Sequence, residues 1–265
     1  MSFLNVAKNC RLHYRLIEGD SKKPYLVYLH EGLGCSAMWK EFPALLCRET
    51  SCPGLVYDRL GYGQSTPLHA RRTIHYLHKY ALLELPTLLE EIIPRTPYIL
   101  IGHSDGGSIA LIAGSEQPLL LKAIITEAAH VFVDTETIAG IKDARKAWHK
   151  GKLAGLSKYH GDKTDGIFRA WADTWLSDWF NHWNIEYLLP SVQAPLLVVQ
   201  GRNDQYGTIA QAQTIAAQCA GHTRLDIIEN CGHIPHLEAQ SEVLGSMSSF
   251  INTTIQLLQG GCIID

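Results

Sequence analysis

Six short apolar runs, rich in β-branched residues, constrain the fold of this chain more than any other feature. They lie at residues 25–30, 54–58, 98–103, 122–126, 195–201 and 224–229. Each run is hydrophobic almost throughout, as expected for a strand that is covered on both faces. Helix-length segments separate most of them, at 36–49, 74–93, 104–116, 208–219 and 238–258. This alternation predicts an α/β fold, a mostly parallel sheet flanked by helices. The first residues differ, and predict an antiparallel hairpin at one edge, with its turn near Lys8 and Asn9.

One region interrupts the alternation. Between residues 129 and 189 no run is typical of a strand, and this region holds five of the six tryptophans: Trp148, Trp171, Trp175, Trp179 and Trp183. Four of them recur at every fourth residue, which predicts one face of a helix or of two successive helices. The sequence therefore predicts a core of residues 1–128 and 190–265 and a helical insertion of residues 129–189.

Composition limits the classes of partner. The 265 residues are 46% hydrophobic and 18% charged, with a net charge of −3. A near-balanced charge argues against nucleic acid or an anionic membrane as the main partner. No apolar run approaches the ~20 residues that a membrane span needs. The N-terminus lacks the basic start and apolar core of a secretory signal, so the cytoplasm is the expected location. The sequence predicts no particular oligomeric state.

The segment "GHSDG" at residues 102–106 matches the pattern G-x-S-x-G. It follows an apolar run and opens a helix-length segment, which is the strand–turn–helix setting of a nucleophile elbow. Glycines at 102 and 106 leave room for the tight backbone that such a turn requires. The alternative is an ordinary strand-to-helix turn in which Ser104 caps the helix.

A serine hydroxyl becomes a strong nucleophile only when a base removes its proton and a carboxylate orients that base. His233 lies just beyond the last apolar run, and Asp204 lies just beyond the one before it. Side chains at the carboxyl ends of parallel strands can converge. Ser104, Asp204 and His233 are therefore the candidate catalytic residues, in the chain order serine, acid, histidine.

With these motifs the chain resembles the α/β-hydrolase family, and within it the single-domain serine esterases that carry a helical cap. The resemblance includes "LHEGLG" at 29–34 and "YDRLGYGQS" at 57–65, then the elbow, the acid loop and the histidine loop. It covers almost the whole chain. It implies that Ser104 is the nucleophile, that His233 is the general base and then the general acid, and that Asp204 orients His233.

Two residues compete with this assignment. His236 lies three residues after His233, and Glu127 ends an earlier apolar run, where some members of the family carry the acid. The "GRND" segment that holds Asp204 is the commoner arrangement, and His236 lies at the start of the final helical segment. Asp204 and His233 are therefore preferred.

The family stabilises the oxyanion with two backbone N–H groups, one on the residue after the nucleophile and one in an H-G-x-x-G loop. The resemblance assigns the first to Asp105. The loop reads "HEGLG" here, with Glu31 in place of the usual glycine. Gly32 is the expected second donor and Leu33 the alternative, while the ring of His30 is expected to brace the loop.

Two carboxylates near Ser104, those of Asp105 and Glu31, bear on the charge of the substrate. If Asp105 and Glu31 face the substrate, they oppose anions and attract an ammonium group. The alternative, which we prefer for Asp105, is a pairing with a local donor such as Arg59. The sequence also predicts that Asp58 and Arg59 pair to hold their own loop.

The family places a helical cap over its pocket, and residues 129–189 correspond to it. Most of the tryptophans there are expected to join the cap to the core, with Trp171, Trp175 and Trp179 as the candidates for substrate contact. No metal-ligand cluster and no phosphate-binding loop appears, so neither a metal nor another cofactor is expected.

The sequence thus predicts a hydrolase that cleaves a carboxylic ester, or a related acyl bond, of a small and partly apolar molecule. Its partner is the small-molecule substrate, and the reaction passes through an acyl-enzyme. A carbon–carbon bond hydrolase with the same three residues is the nearest alternative. A hydrolase-like small-molecule receptor and an inactive scaffold are the others.

Overall fold

The computed structural model describes residues 2–68 and 70–260, so the predicted core segment 190–265 ends in residues that lie outside the described ones. Eight strands form a single sheet. They are β1 (Ser2–Ala7), β2 (Cys10–Ile17), β3 (Tyr25–Leu29), β4 (Gly54–Tyr57), β5 (Tyr98–His103), β6 (Leu121–Glu127), β7 (Leu196–Gly201) and β8 (Thr223–Ile228). All six predicted runs are strands, and the predicted hairpin is formed by β1 and β2.

The strands lie in the order β1-β2-β4-β3-β5-β6-β7-β8. Strand β2 runs antiparallel to both of its neighbours, and every pairing from β4 to β8 is parallel. Strand β5, which leads into the "GHSDG" segment, is therefore central. The predicted α/β fold, with a mostly parallel sheet flanked by helices, is confirmed.

Helices connect the parallel strands. They are α1 (Phe42–Thr50), α2 (Tyr76–Lys79), α3 (Leu85–Ile92), α4 (Asp105–Ser115), α5 (Thr135–His149), α6 (Ser157–His160), α7 (Thr164–Trp175), α8 (Ile209–Gln218), α9 (Pro235–Glu238) and α10 (Gln240–Gly260). A π-helical turn, Tyr80–Glu84, joins α2 to α3. Short 3-10 turns occupy Ser36–Trp39, Ala154–Leu156, Gly161–Lys163 and Glu186–Ser191. In the described ranges, none of the helices combines the length and apolar character that crossing a membrane requires.

The sheet separates two buried cores, which explains why its strands are hydrophobic throughout. Along β3, Leu26 and Tyr28 face a core that includes residues of α1 and α10. Val27 and Leu29 face the other core, which includes residues of α4 and of the 129–189 segment. Alternate side chains of one strand thus enter opposite cores.

Residues 128–195, all of which the structure describes, contain helices α5, α6 and α7 but no strand. Trp171 and Trp175 lie on α7, as the four-residue spacing predicts. The prediction of a helix is wrong for Trp179 and Trp183, because α7 ends at Trp175 and turns follow. The hydroxyl of Ser177 bonds back to a carbonyl in the last turn of α7 and stabilises this ending. The division of the chain into core and insertion stays a prediction.

Candidate active site

Ser104 lies between β5 and α4 on a strained backbone. Its φ of 54° and ψ of −116° place it in a region that non-glycine residues rarely adopt. The chain passes so close to itself that a Cβ on Gly102 would overlap the carbonyl of Gly106, and one on Gly106 would overlap that of Leu29. Both glycines are therefore required for this turn, which presents the Ser104 hydroxyl at the carboxyl end of the central strand.

The three candidate catalytic residues lie together. Ser104 Oγ is 3.0 Å from His233 Nε2, and His233 Nδ1 is 2.9 Å from each carboxylate oxygen of Asp204. Asp204 also accepts hydrogen bonds from the backbone N–H of Tyr206 at 2.7 Å and from the side-chain amide of Gln200 at 2.8 Å. These bonds fix the carboxylate against the imidazole.

The environment tunes both members of this pair. Burial alone would lower the pKa of His233, but the charge of Asp204, its hydrogen bond and the nearby Glu31 outweigh it, and the pKa lies above the usual value. Burial would raise the pKa of Asp204, but the charge and hydrogen bond of His233 lower it below the usual value. Asp204 is thus ionised wherever His233 can act as a base.

The competing residues bind to each other. His236 Nδ1 lies 2.7 Å from Glu127 Oε2, and the His236 ring packs on Trp39 with centroids 4.4 Å apart. Both side chains are almost fully buried. Neither side chain hydrogen-bonds to Ser104 within the described part of the chain, although the backbone carbonyl of Glu127 accepts the N–H of Ser104 at 2.8 Å.

Two side chains that sequence reasoning missed hold the backbone around His233. Glu238 accepts the N–H of Gly232 at 2.7 Å and that of Ile234 at 2.9 Å, one on each side of His233. His103 Nε2 lies 2.7 Å from the carbonyl oxygen of His233. Glu238 follows His233 by five positions, a local signal that could have been noticed. The contact of His103 spans 130 positions and has no local signal.

The loop after β3 offers a free N–H beside Ser104. Neither Gly32 nor Asp105 donates its backbone N–H to any acceptor among the residues that the structure describes. Leu33, the alternative donor, already bonds to Glu31 Oε2 at 2.9 Å. A Cβ at Gly32 would lie 3.2 Å from Asp105 Cγ, so the two residues with free N–H groups are neighbours in space.

Arg59 and His30 support the loop that follows β3. The backbone N–H of Arg59 donates to His30 Nε2 at 3.1 Å, and Arg59 Nη2 donates to the carbonyl oxygen of Glu31 at 2.7 Å. Burial lowers the pKa of His30, which keeps the ring neutral. The expected pairing of Asp58 with Arg59 is wrong. Asp58 bonds instead to His13 at 2.9 Å and to the backbone N–H of Gln64 at 2.8 Å, while the Arg59 guanidinium contacts His30 and the carbonyl of Glu31.

The side chain of Asp105 is already occupied. Its Oδ2 accepts the hydroxyl of Tyr76 at 2.9 Å and lies 3.9 Å from Arg59 Nη1. Tyr76 in turn accepts the indole N–H of Trp175 at 3.1 Å. This outcome matches the alternative in which Asp105 pairs with a local donor such as Arg59.

A cavity of about 210 Å³ adjoins Ser104 and His233. Glu31, Trp171 and Trp175 line it, and burial raises the pKa of Glu31. Trp179 does not, since it follows the end of α7 and its side chain is 47% exposed. The other lining residues include several that sequence reasoning missed: Met38, His130, Thr137, Ile141, Leu153, Gln205 and Tyr206.

His160, at the end of α6, links the 129–189 segment to two loops of the sheet. Its Nδ1 accepts the backbone N–H of Gly63 at 3.0 Å, and its Nε2 lies 2.8 Å from the carbonyl oxygen of Leu33. Burial lowers the pKa of His160, so the neutral ring that this pair of bonds requires is favoured. The segment above the cavity is therefore tied directly to the loop that carries Gly32.

In the ranges 2–68 and 70–260, no three His, Cys, Asp or Glu side chains are grouped closely enough to hold a metal ion.

Comparison with known proteins identifies the family. The model of the alpha/beta hydrolase family matches residues 26–245. A proline iminopeptidase from Lactobacillus helveticus is 24% identical over 91% of this chain and 94% of its own. A 2-succinyl-6-hydroxy-2,4-cyclohexadiene-1-carboxylate synthase from Photorhabdus laumondii is 35% identical, but over only 37% of this chain and 32% of its own. The crystal structure of VinJ has a TM-score of 0.71 at 22% identity, over 96% of this chain and 98% of its own. The chain belongs to the alpha/beta hydrolase family.

Proposed function

We propose that the protein is a serine hydrolase that cleaves a carboxylic ester, or a related acyl bond, of a small and partly apolar substrate through an acyl-enzyme. One observation carries the proposal. It is the continuous line of hydrogen bonds from Ser104 to His233 and on to Asp204, which begins at a strained elbow. This arrangement is suited to removing the proton of a serine hydroxyl at the moment of attack.

In the proposed reaction, Ser104 Oγ forms a bond to the carbonyl carbon while His233 Nε2 takes the hydroxyl proton. The tetrahedral intermediate then expels the leaving alcohol, whose oxygen receives that proton from His233. Water next attacks the acyl-enzyme and gives a proton to His233. When the bond to Ser104 Oγ breaks, this proton returns to the serine and the acid is released.

The backbone N–H groups of Gly32 and Asp105 are the proposed oxyanion donors. Their lack of acceptors in the described ranges supports this role, because an unpaired N–H can bond to the developing oxyanion without breaking another bond. The bond from Leu33 to Glu31 argues against Leu33 as the donor.

Residues 129–189 are the proposed cap over the substrate. The cavity is small, and the rings of Trp171 and Trp175 form part of its wall, which supports a small substrate with an apolar part. Trp179 is not retained as a contact residue, because it lies outside the cavity.

Hydrolysis of an amide bond is a second candidate. It is supported by the similarity to a proline iminopeptidase over 91% of this chain. The chemistry is the same, with an amine as the leaving group. A carbon–carbon bond hydrolase and a small-molecule receptor are the remaining alternatives.

The test combines labelling with kinetics. A fluorophosphonate probe and p-nitrophenyl esters of increasing acyl length are applied to the wild type, to Ser104→Ala and to the exposed control Ser249→Ala. We expect labelling and a burst of p-nitrophenolate in the wild type and in Ser249→Ala, and neither in Ser104→Ala. Labelling of Ser104 without hydrolysis of esters or amides would favour the carbon–carbon or receptor alternatives. An unlabelled, fully folded wild type would contradict the proposal.

A further inference from the structure

We infer that the cavity beside Ser104 selects substrates that carry an ammonium group close to the scissile carbonyl, and that the carboxylate of Glu31 binds this group. The inference rests on the proposed function, because it names the substrate class of the same site. It is carried by the position of Glu31, which lines the cavity and directly precedes the proposed oxyanion donor Gly32.

Glu31 is the one acidic side chain of the cavity wall without a cationic partner in the described part of the chain. The other, Asp105, is bonded to Tyr76 and lies 3.9 Å from Arg59. One oxygen of Glu31 accepts the N–H of Leu33, and the second has no hydrogen-bond donor among the described residues. Arg59 turns to the backbone carbonyl of Glu31, not to its carboxylate. A charge in such surroundings is stabilised by a cation that the substrate brings.

A neighbouring cavity also carries acidic side chains. It has a volume of about 440 Å³ and shares Leu153, Gln205 and Tyr206 with the cavity beside Ser104. Glu136 and Asp143 line it, and of the described residues no lysine or arginine lines either cavity. Asp143 pairs with Lys146 at 2.8 Å on the exposed surface, whereas Glu136 forms no ion pair with a described residue. Carboxylates that adjoin the site attract cations and repel anions.

Aromatic rings complete the chemistry of the site. Trp171, Trp175 and Tyr206 line the inner cavity, and the ring centroids of Trp171 and Tyr206 lie 6.3 Å apart. Aromatic faces attract ammonium groups through their quadrupoles. A carboxylate in a cavity with aromatic walls thus favours an ammonium group over a neutral group of equal size.

The position of Glu31 also links recognition to catalysis. A bare carboxylate one residue from the oxyanion donor repels the negative charge that develops during attack. A bound ammonium group neutralises this carboxylate and lies close to the oxyanion. The transition state of a charged substrate is therefore stabilised more than that of a neutral one, and the preference is expected in kcat/KM.

The experiment uses two pairs of esters that match in shape and differ in charge. The first pair is L-alanine benzyl ester and benzyl isobutyrate, in which a methyl group replaces the ammonium group, so the charge lies on the acyl side. The other, propionylcholine and 3,3-dimethylbutyl propionate, carries it on the alcohol side. Hydrolysis is measured at pH 7 for the wild type, Glu31→Gln and the exposed control Glu91→Gln, with Ser104→Ala as the blank. Glutamine keeps an oxygen for the Leu33 N–H and removes only the charge.

For at least one pair, we expect the wild type and Glu91→Gln to prefer the charged ester by about tenfold or more in kcat/KM, as an ion pair or a charge-assisted hydrogen bond with Glu31 predicts. In Glu31→Gln this ratio should fall by about tenfold or more, and for the propionylcholine pair to within about threefold of unity. The ratio of the alanine pair is not expected to reach unity, because an α-ammonium group activates the neighbouring carbonyl by itself. Ser104-dependent hydrolysis with no charge preference in either pair, or a preference that Glu31→Gln keeps, overturns the inference and leaves the proposed function standing.

If none of the four esters is hydrolysed, that result counts against the proposed function alone. The inference about Glu31 is then tested by binding. The dissociation constants of the four esters are then measured by calorimetry with Ser104→Ala and with Ser104→Ala/Glu31→Gln. Tighter binding of a charged ester, lost in the double variant, supports the inference. Equal affinity for both members of each pair overturns it.

Discussion

His236 Nδ1 and Glu127 Oε2 lie 2.7 Å apart in the interior, and this bond joins the two side chains to each other and not to the Ser104 hydroxyl, which lies 3.0 Å from His233. The protein thus contains two neighbouring histidine–carboxylate pairs. His233 with Asp204 adjoins the cavity of about 210 Å³, whereas His236 with Glu127 is buried and the His236 ring packs on Trp39. The two pairs should respond differently to the same kind of substitution.

Replacing Asp204 by asparagine should lower kcat by about 10⁴-fold, because the amide no longer orients or stabilises the protonated His233. Glu127→Gln should lower the free energy of unfolding by about 1–3 kcal/mol, because it leaves a buried group unsatisfied, and should change kcat less than tenfold. Ester hydrolysis and urea denaturation measure the two effects. A loss of kcat in Glu127→Gln as large as that in Asp204→Asn would contradict the assignment of the acid.

Replacing Gly32 by alanine should lower kcat by about 10²-fold or more, because the backbone N–H must move away from the oxyanion. The new Cβ would lie 2.6 Å from Trp171 Nε1 and 3.2 Å from Asp105 Cγ. Gly155→Ala is the matched control, since a Cβ there meets no atom within 4 Å. Steady-state kinetics of both variants provide the test, and similar kcat values for the two would argue against Gly32 as the donor.

The rate should depend on pH through His233. Only the neutral imidazole can act as a base, and its pKa lies above the usual value, so kcat/KM should fall as the pH drops through this raised pKa. The negative charge of Glu31 contributes to the raised pKa. Glu31→Gln should therefore move the acidic limb of the pH profile to lower pH, as measured with a neutral ester. A limb that stays in place would show that Glu31 does not act on His233.

Tyr76 joins the carboxylate of Asp105 to the indole of Trp175, so removing its hydroxyl affects both. We expect Tyr76→Phe to lower the free energy of unfolding by about 1–3 kcal/mol, because two buried polar groups lose their partner. It should also raise KM for apolar substrates, because Trp175 lines the cavity and loses its anchor. Tyr187→Phe is the control, since that side chain is 66% exposed. Thermal unfolding and KM measurements on both variants check this. Equal changes in stability and KM would argue that the Tyr76 hydroxyl does not hold Asp105 and Trp175 in place.

Much of the fold could be predicted because its strands are buried on both faces. Continuous β-branched runs such as residues 98–103 and 195–201 have few alternatives to a central strand, and the chain places Ser104 and Asp204 just beyond them. The order of these loops along the chain was enough to predict which residues meet, since all lie at the same edge of a parallel sheet.

The rest depends on contacts that no spacing reveals. The four-residue repeat of tryptophans continues past Trp175, but the helix does not, because local turns compete with it there. The partner of Arg59 depends on three loops that meet only in the folded protein, and adjacency to Asp58 was misleading. The hydrogen bonding of the Asp105 side chain likewise depends on Tyr76, which lies 29 positions away in the sequence.

The two hydrogen bonds of His160 have a consequence for exchanging parts between relatives. A segment taken from another hydrolase and placed over this sheet would bring its own residue to the position of His160. Unless that residue both accepts a hydrogen bond from Gly63 and donates one to Leu33, the loop that carries Gly32, the proposed oxyanion donor, loses a support. Residues 129–189 and the "HEGLG" loop should therefore be inherited, and transplanted, as one unit.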